Sequence, residues 1–286
     1  SLTADVGAGY TTILNTTLAN AISTLTISNS SGAVWLIVTN CVLTNTTLNI
    51  GFGGRLQIDN GGLVTNTTSL NMNKSAGRVY AVNGGQLFSA GATVGAASPN
   101  NSVTIRGGGT VWNLCNSGLS LSLAFAGGSS NLLIIDGGGV NGGAVVTNVA
   151  ALGVGDFAID NKVIVTNGGR LFTSGAITIG CDPAGGYGFS NWVEIVGGNA
   201  TSVWNAGAQN AVLGYAYNGS SAGNGIRIDG MGVAGGAVIT NIGAISVGNR
   251  GGAIFSSGNC LIVTNGGCLF SGNIAVGTYQ NAGNPA

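Results

Sequence analysis

The chain has 286 residues, 8 basic and 8 acidic side chains, no histidine and 54 glycines. Zero net charge removes the electrostatic case for nucleic acid or an anionic membrane as partner, and the missing histidine removes the commonest general base and transition-metal ligand. Glycine without a Gly-X-Y period excludes collagen, and no apolar run reaches the roughly 18 residues of a transmembrane helix, so no membrane insertion is expected.

The chain begins at Ser1 with neither methionine nor signal peptide, which fits a processed, exported product or an excised fragment. Residues 1–32 include TTILNTTLANAISTLTIS, apolar and β-rich, expected as a strap, a cap, an extra coil or a strand-donating segment. From residue 33 onward the chain repeats itself. LQIDNGG (56–62), VYAVNGG (79–85), VTIRGGG (103–109), LIIDGGG (133–139), VIVTNGG (163–169), VEIVGG (193–198), IRIDGMG (226–232) and LIVTNGG (261–267) are successive instances of one pattern. In the later units an Asn precedes each instance: Asn101, Asn131, Asn161, Asn191, Asn224 and Asn259.

The unit at 163–180, VIVTNGGRLFTSGAITIG, contains three short alternating runs: VIVT, RLFTS and AITIG. Alternation over four to six residues between Gly/Asn corners predicts strands, and no 3.6-residue period competes with it. Three strands per unit, with glycine corners, predict one turn of a single-stranded parallel β-helix, or β-solenoid. About nine coils of roughly 22–35 residues fit 33–286, with boundaries near 55, 78, 102, 132, 162, 192, 225 and 260. At about 4.8 Å per coil the stack is about 43 Å long.

The register follows from the columns. Leu56, Val79, Val103, Leu133, Val163, Val193, Ile226 and Leu261 form one apolar column, and Ile58, Ala81, Ile105, Ile135, Val165, Ile195, Ile228 and Val263 another. Both are expected to face inward. The outward columns between them hold opposite charges one coil apart, which predicts inter-coil pairs Arg106–Asp136 and Glu194–Arg227. A longer period is superimposed. NGGxLF recurs every third coil (83, 167, 265), Trp112 and Trp204 mark the coil after the first two, and IDGGGV and IDGMGV mark the next. The duplicated block is therefore three coils.

This pattern resembles right-handed parallel β-helices of the pectin-lyase-like class and the β-strand repeats of bacterial autotransporter passengers. The resemblance implies an extracellular or cell-surface location. In its enzymatic members it implies cleavage of acidic polysaccharides by aspartate clusters that act directly or hold calcium. Those catalytic motifs have no counterpart here. Asp59, Asp136 and Asp229 share a column but lie three coils apart, about 14 Å, too far for a glycosidase pair.

Asp156, Asp160 and Asp182, near equivalent glycines of neighbouring coils, are the remaining calcium or acid-pair candidates, against a reading as solvated loop carboxylates. Phe88, Trp112, Phe172, Trp204 and Phe270 could form an outward aromatic stripe suited to sugar rings, if Leu87, Val111, Leu171, Val203 and Leu269 supply the inward ladder. Stacked core or lateral packing is the first expectation for these aromatics, and the stripe is its alternative. The Asn series is expected to form a hydrogen-bonded ladder between coils, and the glycine pairs to need positive φ.

Sequons at Asn15, Asn45, Asn66, Asn73, Asn100, Asn199 and Asn218 follow from an Asn/Thr-rich composition. No CxxC occurs, so zinc is not expected. Five cysteines (41, 115, 181, 260, 268) leave one thiol free or paired between chains, and Cys260 with Cys268 is the first internal pairing to consider. The expectation for function is a structural extracellular subunit without cofactor or catalysis. It stacks head to tail on copies of itself, and the phase of Trp35 in the first coil supports continuity from one copy to the next. A surface-adhesin stalk is the alternative, and a polysaccharide-binding or lyase-like module, with glycans as partner, the further one.

Overall fold

Runs that alternate apolar and polar can bury one face only as strands, and the repeats do so from end to end. A computed structural model describes residues 2–4, 9–18, 20–96, 98–123, 128–181, 187–216, 219–233, 236–248, 250–251, 255–277 and 279–280. The described residues are all-β and contain no helix long and apolar enough to cross a membrane.

Ten strands pair in chain order as one parallel sheet, from Thr11–Leu14 through Val34–Thr39, Gly54–Asp59 and Arg78–Val82 to Cys260–Thr264. The segments between them build a second parallel sheet of 14 strands, running from Leu2–Ala4 and Ile22–Ile27 to Cys268–Ser271 and Ile274–Val276. Each repeat thus crosses from one sheet to the other and returns, an arrangement consistent with a β-solenoid. Strands of the first 32 residues join both sheets. Leu2–Ala4 pairs with Leu25–Ile27, and Thr11–Leu14 with Trp35–Val38, in the manner of a further coil.

From Val34–Thr39 to Gly225–Asp229 the two inward columns of the ten-stranded sheet are buried, while in the first strand Thr12 is exposed and Leu14 half-buried, and in the last strand the columns open again. Its outward columns carry nine of the chain's sixteen charged residues: Arg55, Asp59, Arg78, Arg106, Asp136, Lys162, Glu194, Arg227 and Asp229. Alternation therefore sorts charge as well as apolarity.

The corners explain the recurrent Asn-Gly-Gly. In Thr166-Asn167-Gly168-Gly169, Asn167 has φ 51° and Gly168 φ 91°, and Gly169 N donates to Thr166 O at 2.9 Å. This is a two-residue turn of the mirror-image type that Asn-Gly favours. The expectation that both glycines need positive φ is corrected. Only the first does. The second is small because a Cβ on Gly169 would stand 2.2 Å from Ile135 O of the preceding coil, and one on Gly85 2.1 Å from Ile58 O.

The second corner also differs from expectation. The second and third strands of several units run together, as in Thr110–Leu123 and Ala144–Asp156, bent at a register shift where Cys115, Asn116 and Asn148 have positive φ. A bulge turns the chain there while the ladder on either side stays paired.

Candidate functional site

The Asn series is the most regular polar feature of the interior. Asn101 Nδ2 donates to Asn131 Oδ1 at 3.1 Å, Asn131 to Asn161 at 3.0 Å, Asn161 to Asn191 at 3.0 Å, Asn191 to Asn224 at 3.0 Å and Asn224 to Asn259 at 2.9 Å. The same Oδ1 atoms accept the main-chain N–H of the preceding Asn, at 2.9–3.1 Å, and Gly77 N begins the series by donating to Asn101 Oδ1 at 2.9 Å. A carboxamide suits this place because one oxygen can accept twice while its nitrogen passes the bond onward. At the last step, Asn259 Nδ2 turns to Ser256 Oγ at 3.0 Å and Ser221 O at 3.4 Å. The Asn259 main-chain N–H finds no acceptor among the described residues.

Arg106 and Asp136 pair across adjacent strands, with Nε 3.2 Å from Oδ2. Glu194 and Arg227 also stand opposite one another, but they do not form the expected ion pair. Glu194 Oε1 takes Lys162 Nζ at 3.2 Å, and Arg227 pairs with Asp229. The cause is local. Lys162 reaches Glu194 diagonally from the neighbouring strand, while Asp229, held by Met231 N–H and Asn265 Nδ2 at 3.0 Å each, lies on the same face and strand as Arg227. Those donors, the Met231 N–H first, also hold the Asp229 carboxyl below its ordinary pKa. Asp136 caps its corner alike, accepting from Gly138 N at 2.9 Å and Asn167 Nδ2 at 3.3 Å. Corner capping by the Asp column was not foreseen. Its signal was the Asp-Gly spacing one coil ahead of an Asn-Gly turn.

The aromatic stripe does not exist. Trp112 and Trp204 are 0% exposed and stand opposite Leu87 and Leu171, in the inward column. Val111 and Val203, expected inward, lie in the outward positions. Phe88 and Phe172 are half-buried on the outer face opposite Asn113 and Asn205, and Phe270 is 62% exposed. The corner after Arg106 is a residue longer than that after Val82, which moves Trp112 rather than Val111 onto Leu87. Each buried indole is satisfied one coil away: Trp112 Nε1 donates to Ser89 Oγ at 2.9 Å and Trp204 Nε1 to Thr173 Oγ1 at 3.1 Å. Trp35 does not share this column. It lies on the outer face of the other sheet, so the phase argued from it fails.

Of the acidic candidates, Asp182 lies outside the described residues. Asp160 is exposed at φ 56° in a bend, and its N–H donates to Phe189 O. Asp156 is more unusual. It opens onto a 390 Å³ cleft floored by small residues of successive coils, among them Gly91, Gly118, Gly153 and Ala176. Its Oδ2 accepts from Thr178 Oγ1 at 3.0 Å while buried Oδ1 has no partner. Burial raises its pKa to about 6, against the opposing pull of Thr178 and the Cys181 N–H. Among the described residues no group of three or more His, Cys, Asp or Glu side chains could hold a metal ion.

All five cysteines are free, so the Cys260–Cys268 pairing is corrected: the two lie on different sheets, Cys260–Thr264 and Cys268–Ser271. Of the sequons, Asn45 and Asn66 are buried and Asn15, Asn73, Asn100 and Asn199 exposed. Asn218 lies outside the described residues.

The largest discontinuity is at the last coil. Val263, Ile274 and Val276 are 46%, 48% and 74% exposed, whereas their column neighbours Ile228, Ile245 and Val247 are 0%, 0% and 2%. The strands there, Cys260–Thr264, Cys268–Ser271 and Ile274–Val276, also form one edge of each sheet, opposite Leu2–Ala4 and Thr11–Leu14, and such an edge is a template for a further strand. No protein-family model, curated protein or solved structure matches the chain, so any assignment of function rests on this geometry.

Proposed function

We propose that the chain is a structural, non-catalytic protein: a single-stranded β-solenoid of about nine three-strand coils over 33–286, in three-coil blocks, right-handed by its resemblance to parallel β-helices. It is exported to the cell surface or beyond, needs no cofactor, and stacks head to tail on further copies into a filament. One observation supports the reading: each coil repeats the columns of the one before, so the apolar columns and sheet edges of the last coil match a further coil, and a second copy could provide it. A second copy seated there would cover Val263, Ile274 and Val276. It would also offer an acceptor to Asn259 and leave a new open end, the property of a contact that propagates. Sedimentation velocity and negative-stain imaging test this. Fibres that lengthen with concentration are expected, with loss of assembly in Ile274→Lys/Val276→Lys at unchanged circular dichroism. A single short particle at every concentration overturns it.

One observation favours the stalk reading. Ser89 and Thr173 each receive an indole from the next coil, and Ser271 ends the third copy of the same NGGxLF[S/T] motif. The first 32 residues contain no tryptophan to place on it. A surface stalk whose coils continued the three-coil phase would supply one.

A further inference from the structure

On the outer face of the ten-stranded sheet, three ion pairs absorb Arg106, Asp136, Lys162, Glu194, Arg227 and Asp229. Asp59 accepts from Gln57 Nε2 at 2.7 Å. That leaves Arg55 and Arg78. They stand directly opposite each other on adjacent parallel strands, and neither has a carboxylate within salt-bridge distance among the described residues. Like charges so placed are destabilising unless something offsets them.

The surroundings of Arg55 are specific. Its guanidinium carbon lies 5.0 Å from the centroid of the Trp35 ring, and Trp35 stacks on Tyr80 with centroids 5.7 Å apart at 20°. Trp35 and Tyr80 come from the strands on either side of Arg55, so the rings meet above the strand that carries it. Arg55 Nε is buried and has no hydrogen-bond partner. Arg78 is anchored from below: one of its terminal nitrogens donates to Gly77 O at 3.0 Å and to Asn100 O.

We infer that Trp35, Arg55 and Tyr80 form a binding site for a small oxyanion carried on a flat ring, with Arg78 on the next strand adding positive charge beside it. The planar guanidinium fork matches carboxylate, sulfate or phosphate, and the stacked rings offer a face to the scaffold that bears it. The oxyanion supplies a countercharge to arginines that no ion pair on this face engages. The site is on the lateral face, clear of the last coil and one strand in from the first, so any stack of copies repeats it.

The test is titration of the ¹⁵N-labelled protein, following the indole N–H resonances. Benzoate and phenyl phosphate should each move the Trp35 signal saturably and leave those of buried Trp112 and Trp204 in place. Benzyl alcohol, with the ring but no charge, should bind at least tenfold more weakly, and inorganic sulfate should compete with benzoate. Arg55→Gln should lose tenfold or more in affinity with an unchanged thermal melt. Arg55→Lys, which keeps the charge without the fork, should lose several-fold and guards against a folding defect in the first variant. Equal response to benzoate and benzyl alcohol, absence of sulfate competition, or undiminished binding in Arg55→Gln overturns the assignment and leaves a purely structural cation–π cluster.

Discussion

Two carboxylates illustrate how position inverts the meaning of one residue type. Asp156 titrates near 6 rather than 3.8 because burial penalises its charge. Its folded form therefore binds a proton more tightly than the unfolded chain. Stability from this group is complete below about pH 4 and is lost as pH rises through 6, by roughly 2–3 kcal/mol. Asp156→Asn should match the parent in urea unfolding at pH 4 and exceed it at pH 8. A constant difference across that range would refute the shift. Asp229 has the opposite sign: its lowered pKa makes its contribution disappear as pH falls through the folded value. The corner glycines separate two reasons for being small. Gly84 has φ 82° but nothing nearer than 4.0 Å to a Cβ, whereas Gly85 would place one 2.1 Å from Ile58 O. Gly84→Ala should cost about 1–2 kcal/mol from the left-handed backbone alone. Gly85→Ala should cost more, in the range of ~3 kcal/mol or above, because backbone rather than a side chain must move. Denaturant midpoints of the two variants decide the order.

The Asn ladder acts as an element in the same sense as a strand, since each member serves the coil on either side. Asn161 accepts from Asn131 N and Nδ2, and gives to Asn191 Oδ1 and Ile159 O. Asn161→Ala removes the acceptor of the Asn131 N–H and Nδ2, while Asn191 Oδ1 keeps the main-chain N–H of residue 161, so a loss of about 3–5 kcal/mol is expected from roughly 1–3 kcal/mol per unmet group. Asn259→Ala, at the last step and only half-buried, should lose about half as much. Equal melting-temperature losses would mean that the ladder contributes only through its own corner and not through its neighbours. The inward tryptophans follow the same rule, each polar tip being met from the adjacent coil.

At the scale of the whole molecule, charge is confined largely to one outer face and is mostly neutralised there, while the last coil presents bare apolar columns. A stack of copies would therefore meet little electrostatic resistance. If association covers the last coil, mass action makes the melting temperature rise with protein concentration, and Val276→Lys should flatten that dependence. A melting temperature independent of concentration in the parent would argue against burial of this end.

Much of this was readable from residue order alone, for a physical reason. Alternation has a period of two and the units repeat, so Val163 could be set beside Leu133 and Val193 without coordinates, and the structure pairs them so. The Asn series, the Asn-Gly corners and the Arg106–Asp136 juxtaposition follow from the same arithmetic. What lies beyond a corner does not. One added residue after Arg106 carried Trp112 into the core and dissolved the supposed stripe, because register across a turn depends on the path of the loop and not on the alternation of the strands it joins. Side-chain reach decided that Glu194 takes Lys162 and not Arg227. Burial by neighbouring coils set the state of Asp156, and the meeting of rings from strands on either side created the setting of Arg55. Local order settles which residues share a column; only the packed parallel sheets settle what each one touches, because those contacts are made between successive repeats rather than along the chain.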